Sequence, residues 1–149
     1  MNKVKVFFVS IFVPLAIGTL VGIITSSYMK YANFEKPFFA PPGYIFPIVW
    51  TILFTLMGIS YGILKINDQV DGNTKFIYYT QLVINYIWSF LFFVFDLKKF
   101  AFYWILLLIT FVIVMIYEFY SKNKLSGLLQ IPYLLWLIYA SFINAYIAF

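Results

Sequence analysis

The chain has 149 residues, of which 64% are apolar, 24% aromatic and only 10% charged. Because soluble domains carry about a quarter charged residues, this composition indicates an integral membrane protein. Histidine and cysteine are absent and all ten basic residues are lysine, which excludes disulfides, thiolate or imidazole metal sites, a haem ligated by histidine or cysteine, and serine–histidine catalysis. We expect no metal and no resident cofactor. The net charge of +5 fits lysines at membrane surfaces and does not indicate nucleic-acid binding.

The charged residues leave five uncharged runs of 24, 28, 20, 18 and 25 residues. A membrane-spanning helix needs roughly 20 such residues, and about 17 suffice. Barrel strands would alternate apolar and polar side chains, and runs such as 105–116 do not. The sequence therefore predicts an all-α membrane protein. It forms a single domain, residues 1–149, with five transmembrane helices at about 4–27, 44–65, 75–95, 100–120 and 125–148.

The first helix follows Lys3 and Lys5, as the apolar region of a secretory signal would. Its apolar run is too long for a signal, so we expect an uncleaved helix. Small side chains recur at every fourth position, and a Gly-x-x-x-Gly pair among them permits the close approach of another helix. This stripe predicts packing inside the bundle, with a dimer seam as the alternative. Its members are Ser10, Pro14, Gly18, Gly22 and Ser26.

The segment between the first two helices is rich in proline. Pro37, Pro41 and Pro42 precede the second helix, Pro47 lies near its start, and Trp50 follows one turn further in. Proline fixes φ and has no N–H to donate, so this segment cannot be a helix interior or a strand. We expect a long, stiff first loop that acts as a lid over a binding cavity.

The third helix carries two amides one turn apart, Gln81 and Asn85. An amide that faces lipid without a partner is costly, so this face should point into the bundle. The fourth helix is apolar on every side and has no glycine, which predicts a place on the lipid-facing perimeter. At its polar end Glu118 should pair with Lys122. Pro132 should kink the fifth helix in its first half.

The lysines indicate an orientation in the membrane. Six of them flank the helices on the N-terminal side of the bundle and four flank the other side. Because cytoplasmic loops carry the excess of basic residues, we expect the N-terminus in the cytoplasm and the first loop outside.

Three helices present stripes of aromatic and amide side chains. If these stripes converge, they form an apolar box with indole and amide hydrogen-bonding groups, which suits a flat, hydrophobic, weakly polar ligand. Ordinary aromatic packing and interfacial anchoring are the alternative. All five acidic residues lie at helix ends or in loops, which argues against a proton-coupled pump or a hydrolase. The stripes are Phe46, Trp50 and Phe54; Gln81, Asn85, Trp88 and Phe92; and Tyr133, Trp136, Ala140 and Asn144.

Three separate motifs occur in order along nearly the whole chain. They are Lys36–Pro42 with Pro47–Thr51 and Met57–Gly58; Gln81–Ser89; and Pro132–Trp136 with Ala140, Ser141 and Asn144. In sequence and spacing they resemble the family of tryptophan-rich sensory proteins and translocator proteins, the TspO/MBR or peripheral-type benzodiazepine receptor family. Phe39 departs from the pattern, because it stands where that family usually has tryptophan.

The resemblance implies a five-helix bundle, often a homodimer, in the bacterial inner (cytoplasmic) membrane. It also implies a cavity below the first loop that binds porphyrins and, in some members, isoquinoline or benzodiazepine ligands. Porphyrin or haem would be a ligand and not a cofactor. Position by position, Trp50 and Asn85 would hydrogen-bond the ligand. The pocket would be lined by Tyr31, Pro41, Pro42, Phe46, Phe54, Phe92, Trp136 and Ala140.

The expected function is that of a membrane receptor or sensor for porphyrin-type tetrapyrroles, with Lys30 or Lys36 meeting the porphyrin carboxylates. The first alternative is a light-dependent porphyrin-degrading enzyme, in which the resemblance implicates Trp50 and Trp136 as catalytic residues. The others are a passive transporter of tetrapyrroles or other hydrophobic small molecules, and an assembly partner without a ligand.

Overall fold

The computed structural model describes residues 2–26 and 36–149. Helix α1 spans Lys3–Ser26, α2 spans Ile45–Ile66, and α3 spans Gly72–Ser89 and continues into a π-helical turn at Phe90–Val94. Helix α4 spans Lys98–Lys122, the short α5 spans Lys124–Leu128, and α6 spans Ile131–Ala148. No strand occurs in these described residues.

Five helical segments are long and apolar enough to cross a membrane, which confirms the predicted five-helix architecture. The third segment is α3 with its π turn, and the fifth is α5 with α6. We expected Pro132 to kink the fifth helix in its first half. Instead, this helix is interrupted at residues 129–130, and Pro132 lies in the first turn of α6. Proline is tolerated there because the N–H groups of a first helical turn have no partner within the helix.

The bundle has two ends, which we name by their residues. The first-loop end holds residues 36–44 and 95–97, and the Asp71 end holds residues 67–71 and 123. Helices α3 and α6 run in the same direction, from the Asp71 end toward the first-loop end. At the first-loop end, Asn144 of α6 donates to the Lys98 carbonyl at 3.0 Å.

Helices α1 and α2 approach closely because glycines of α2 face α1. A β-carbon at Gly58 would lie 2.6 Å from the Ser10 carbonyl oxygen, and one at Gly62 would lie 2.9 Å from the Phe7 ring. Ser10 and Pro14 are buried in this crossing. This part of the small-residue stripe therefore packs inside the bundle, as the sequence predicts.

Helix α4 lies on the perimeter, as predicted, but it also has a buried face that the sequence did not indicate. Six of its residues are almost fully buried where the helix packs against α3, α5 and α6, while large apolar side chains on its other faces are exposed. The least buried of the five spans is α1. The interior stripe of α4 is entirely apolar and contains no glycine; its members are Ala101, Ile105, Leu108, Val112, Met115 and Phe119.

Charged side chains hold the Asp71 end together. The Asp71 carboxylate accepts from the Thr74 N–H at 2.9 Å, capping α3, and from the Lys122 ammonium at 2.8 Å. Lys122 also lies 3.9 Å from Glu118, which confirms the predicted pair. The hydrogen bonds from Lys122 and from Thr74 hold the pKa of Asp71 well below its usual range, because they favour the ionised form.

We expect Gly58→Ala to destabilise the bundle, because its methyl group would meet the Ser10 carbonyl and push α1 away. Overpacking of this kind costs about 1–3 kcal/mol, and each kcal/mol should lower the thermal midpoint in detergent by roughly 2–4 °C. Gly22→Ala is the matched control, since no heavy atom of the described residues lies within 4 Å of a β-carbon there. Equal midpoints for the two variants would contradict the close contact.

The Asp71 carboxylate should stabilise the fold at neutral but not at strongly acid pH. Because folding lowers its pKa, its contribution is complete above the unfolded-state value of about 3.9 and is lost as the pH falls through the lower folded-state value. The midpoint of the parent should exceed that of Asp71→Asn at about pH 6, and the difference should shrink below about pH 4.

Asp68→Asn is the control for this pH series. Asp68 lies in the same loop with a φ of 55°, a conformation that asparagine adopts readily. The unfolding midpoint of Asp68→Asn should equal that of the parent at every pH of the series. If the midpoints of the parent and of Asp71→Asn differed by the same amount at every pH, this would contradict the role of the Asp71 carboxylate.

Candidate functional site: an aromatic cavity

A cavity of about 630 Å³ lies inside the bundle, toward the first-loop end. Helices α1, α2, α3, α4 and α6 form its wall, together with the π turn and the loop residues Lys36 and Gly43. Its volume falls in the range of pockets that enclose small organic ligands. Most of its surface is apolar, and its aromatic side chains are Phe46, Trp50, Phe54, Tyr86, Trp88, Phe93 and Trp136.

Six of the residues that the family resemblance implies for a ligand pocket meet at this cavity. The Phe46 ring of α2 lies 5.7 Å from the Trp136 ring of α6. Within α2, Trp50 stacks on Phe54 at 5.4 Å. Their part in ligand binding stays a prediction. The six lining residues are Phe46, Trp50, Phe54, Asn85, Trp136 and Ala140.

Phe92 occupies a different place from the one expected. It is almost fully buried and stacks on Trp88 at 5.0 Å, while the next residue, Phe93, lines the cavity. The π turn at 90–94 changes the angular spacing of side chains in this segment. Sequence reasoning assumed a regular α-helix and therefore chose the neighbouring residue.

The first loop contributes to the wall at two described positions. Lys36 and Gly43 line the cavity, whereas Pro41 and Pro42 are not among the lining residues. Tyr31, the remaining predicted pocket residue, lies outside the described residues.

The described half of the loop is attached to α6. The Phe39 carbonyl accepts a hydrogen bond from the Tyr139 hydroxyl, and the two rings lie 6.2 Å apart. Pro37 is buried, whereas Phe38 is fully exposed. Phe39 therefore anchors the loop through its backbone and its ring, at the position where the related family usually has tryptophan.

A chain of hydrogen bonds lies beneath the cavity. The Asn85 side-chain amide donates to the Tyr133 hydroxyl at 2.6 Å, and that hydroxyl donates to the Gln81 side-chain carbonyl at 2.8 Å. The Gln81 amide in turn points to the Met57 sulfur at 3.9 Å. The inward orientation predicted for the two amides of α3 is thus observed. The chain fixes Asn85 as a polar group at the floor of an apolar cavity.

The indole groups differ in their hydrogen bonding. Trp88 lines the cavity and donates to the Asn144 side chain at 3.0 Å, and Trp104 donates to the Ile84 carbonyl at 2.8 Å. The Trp136 Nε1 atom is buried and has no hydrogen-bond partner among the described residues. A buried donor without a partner is costly, so Trp136 offers an N–H that a bound molecule could satisfy.

Helix α1 supplies a part of the wall that the stripes of aromatic and amide residues did not indicate. Leu15, Gly18 and Gly22 line the cavity, and the Tyr86 hydroxyl of α3 donates to the Pro14 carbonyl at 2.8 Å. The small-residue stripe of α1 was the signal for this contribution, although the sequence analysis assigned it to packing inside the bundle or to a dimer seam.

No cluster of acidic residues that could hold a metal ion occurs within residues 2–26 and 36–149. The groups that the cavity wall presents are aromatic faces, indole and amide groups, hydroxyls and one lysine.

Comparison with known proteins identifies the family. The profile described as "TspO/MBR family" matches residues 10–149. The tryptophan-rich protein TspO of Archaeoglobus fulgidus is 38% identical over 147 residues, 97% of this chain and 95% of that protein. The tryptophan-rich sensory protein of Cereibacter sphaeroides is 29% identical (76% and 72% covered), and the translocator protein of Homo sapiens is 28% identical (76% and 70% covered). The chain therefore belongs to the TspO/MBR family of multi-pass membrane proteins.

Proposed function

We propose that this protein is a membrane receptor of the sensor type that binds porphyrin-type tetrapyrroles in its aromatic cavity. One observation carries the proposal: Trp136, whose buried indole N–H has no partner among the described residues, is a lining residue of an apolar cavity of about 630 Å³. We propose that a ligand in this cavity accepts a hydrogen bond from that N–H and buries its own apolar faces.

The shape and chemistry of the wall support a flat, aromatic ligand. The Trp50 and Phe54 rings stack on one side, and the Phe46 ring meets Trp136 edge to face on another. Aromatic walls favour offset-stacked and edge-to-face contacts with a planar ring system. The same features suit isoquinoline and benzodiazepine compounds, which we propose as smaller ligands of the same cavity.

Polar groups at separate points of the wall would orient the ligand. Asn85 lies at the floor, held by Tyr133, and Lys36 lies at the first-loop end. A porphyrin carries two carboxylates on one edge and an apolar opposite edge. We propose that a carboxylate of the ligand faces Lys36, where an ammonium group attracts an anion, that the Asn85 amide and the Trp136 N–H hydrogen-bond its other polar atoms, and that its apolar edge packs against the aromatic rings.

Sensing is proposed here over the other activities. Two of the relatives are named a tryptophan-rich sensory protein and a translocator protein. No observation on the described residues favours light-dependent degradation through Trp50 and Trp136, or passive transport, over binding. We further propose a bacterial cytoplasmic membrane location, a cytoplasmic N-terminus and a homodimer, for which the little-buried α1 offers apolar surface.

Protoporphyrin titrated into the purified protein in detergent should bind saturably, as followed by the shift of its main absorbance band. Trp136→Phe should weaken the affinity about tenfold, because removing one hydrogen bond to the ligand is worth about 1.4 kcal/mol. Trp104→Phe is the matched control, since the Trp104 indole donates to Ile84 and Trp104 is not among the lining residues. Its affinity should equal that of the parent.

Two results would count against this arrangement. Unchanged affinity in Trp136→Phe would remove that indole from the binding site. Absence of saturable binding by the folded parent protein would overturn the proposed function itself.

Filling the cavity should also abolish binding without unfolding the protein. Gly22 lines the cavity, and no described heavy atom lies within 4 Å of a β-carbon there. Gly22→Leu should therefore reduce protoporphyrin affinity at least tenfold while the unfolding midpoint changes little. Gly72→Leu is the matched control, because Gly72 has the same open surroundings but lies at the Asp71 end. Equal binding by both variants would show that the ligand sits elsewhere.

A further inference from the structure

The helical residues in the wall of the cavity differ in exposure from one helix to another. The lining residues on α3, its π turn, α4 and α6 are all buried or half-buried, whereas several on α1 and α2 are exposed. If exposure arose only from surface that faces the cavity, it would occur on every helix of the wall. The cavity therefore reaches the outside of the bundle on the flank where α1 and α2 meet. The exposed lining residues of these two helices are Thr19, Ile23, Ser26, Pro47 and Thr51.

One stripe of α2 shows how its contact with α1 changes along the helix. Gly62 and Gly58 are buried, and a β-carbon at either position would strike α1. Thr51 and Pro47 continue this stripe toward the first-loop end, because residues four and seven apart lie on one side of a helix. Both of these residues are exposed. The side of α2 that α1 covers near Gly58 is thus uncovered near Thr51.

Helix α1 shows the same change along its length. Its small-residue stripe is buried at Ser10 and Pro14 and half-buried at Gly18. A β-carbon at Gly18 would lie 2.6 Å from the Phe54 ring, so the two helices still meet at this level. Nearer the first-loop end they separate, and we call the space between them the α1–α2 cleft. Its borders are Thr19 and Ile23 on α1 and Pro47 and Thr51 on α2.

The α1–α2 cleft lies at the depth of the membrane hydrocarbon. Thr19 is seven residues from the end of α1, and Thr51 is six residues from the start of α2. At a rise of 1.5 Å per residue, these positions are about 10 Å and about 9 Å inside the helices. Both helices are long and apolar enough to cross a membrane, and a bilayer has a hydrocarbon core about 30 Å thick. The cleft therefore faces acyl chains.

The polar groups at the borders of the cleft are already satisfied. The Thr19 hydroxyl donates to the Leu15 carbonyl at 2.8 Å, and the Thr51 hydroxyl donates to the Pro47 carbonyl at 2.7 Å. None of the four border residues is charged. Because an unpaired polar group is costly in hydrocarbon, such borders suit contact with lipid and with an apolar molecule that passes between them.

We propose that the α1–α2 cleft is the entrance through which ligands dissolved in the bilayer reach the cavity. The ligand passes from the acyl chains between the two helices to the aromatic wall, and it does not cross the first loop. The cavity accordingly takes molecules that partition into the membrane. The passage of a porphyrin rests on the proposed function, whereas the opening of the cleft to lipid does not.

A spin label tests the opening without any ligand. The chain has no cysteine, so a nitroxide attached to Thr51→Cys reports on one site. In phosphatidylcholine vesicles it should collide with oxygen, which dissolves in the hydrocarbon, more than with a water-soluble nickel chelate. Ile52→Cys is the matched control, because Ile52 is 54% exposed and is not a lining residue. Its label should show the same preference for oxygen.

Two results of this measurement would overturn the cleft. A Thr51→Cys label that is shielded from oxygen would show that α1 covers this position. A label that collides more with the nickel chelate would show that the space opens to water.

Binding kinetics test the passage of the ligand. Ile23→Trp should narrow the cleft, so protoporphyrin supplied in vesicles should bind and dissociate about tenfold more slowly, because the cleft must widen before the ligand passes. Both rates should fall by the same factor, which leaves the dissociation constant unchanged. Leu20→Trp is the matched control. Leu20 is 57% exposed on the same helix, against 65% for Ile23, but it does not line the cavity, so both rates should equal those of the parent.

The kinetic outcomes separate the entrance from the proposed function. Unchanged rates in Ile23→Trp would overturn entry through the cleft. A change in the dissociation rate alone would place Ile23 against the bound ligand and would overturn its role at the entrance. Absence of binding by the parent would contradict the proposed function and the passage of this ligand, while the spin label would still decide whether the cleft opens to lipid.

Discussion

The hydroxyl of Tyr133 makes two hydrogen bonds, and the interior of the bundle depends on them. It accepts from Asn85 at 2.6 Å and donates to Gln81 at 2.8 Å, so one side chain of α6 satisfies two amides of α3. No water reaches such groups through the hydrocarbon of a bilayer, and each must find its partner inside the protein. The two bonds therefore fix the depth of α6 relative to α3 and set the position of the cavity floor.

The cavity opens because α1 packs unevenly along its length. Toward the Asp71 end, a β-carbon at Gly58 or Gly62 would strike α1, so the two helices touch through backbone and small side chains. Toward the first-loop end, the surroundings of Gly22 are open and residues of α1 line the cavity instead. Close contact at the Asp71 end and open surroundings at Gly22 leave space for the cavity, which Trp50 and Trp136 line with aromatic surface.

The parts of this structure that rest on charge and polarity could be predicted from the sequence. The lengths of the uncharged runs predict the five spans. The free-energy cost of an unpaired amide in lipid predicts that Asn85 faces the interior of the bundle. The π turn could not be predicted, and it exchanges Phe92 for Phe93 in the wall. The buried face of α4 was also missed, because an all-apolar helix shows no contrast between the side that meets lipid and the side that meets protein. The helix break ahead of Pro132 depends on the α5 turn, which periodicity does not show.

The two halves of the interior differ in their side-chain contacts: polar contacts and close packing at the Asp71 half, and an aromatic cavity at the first-loop half. This difference explains how the bundle can be stable although it contains a cavity. At the Asp71 half, Ser60 and Ser126 exchange hydrogen bonds of 2.7 and 2.9 Å between α2 and α5. Helices in lipid gain little from apolar burial, because lipid tails are as apolar as a core. Polar contacts and close packing therefore hold the helices together, and an aromatic cavity at the other end forfeits only dispersion contacts. The proposed ligand would supply those contacts and a partner for the Trp136 N–H, in a bundle whose helices are already held together elsewhere.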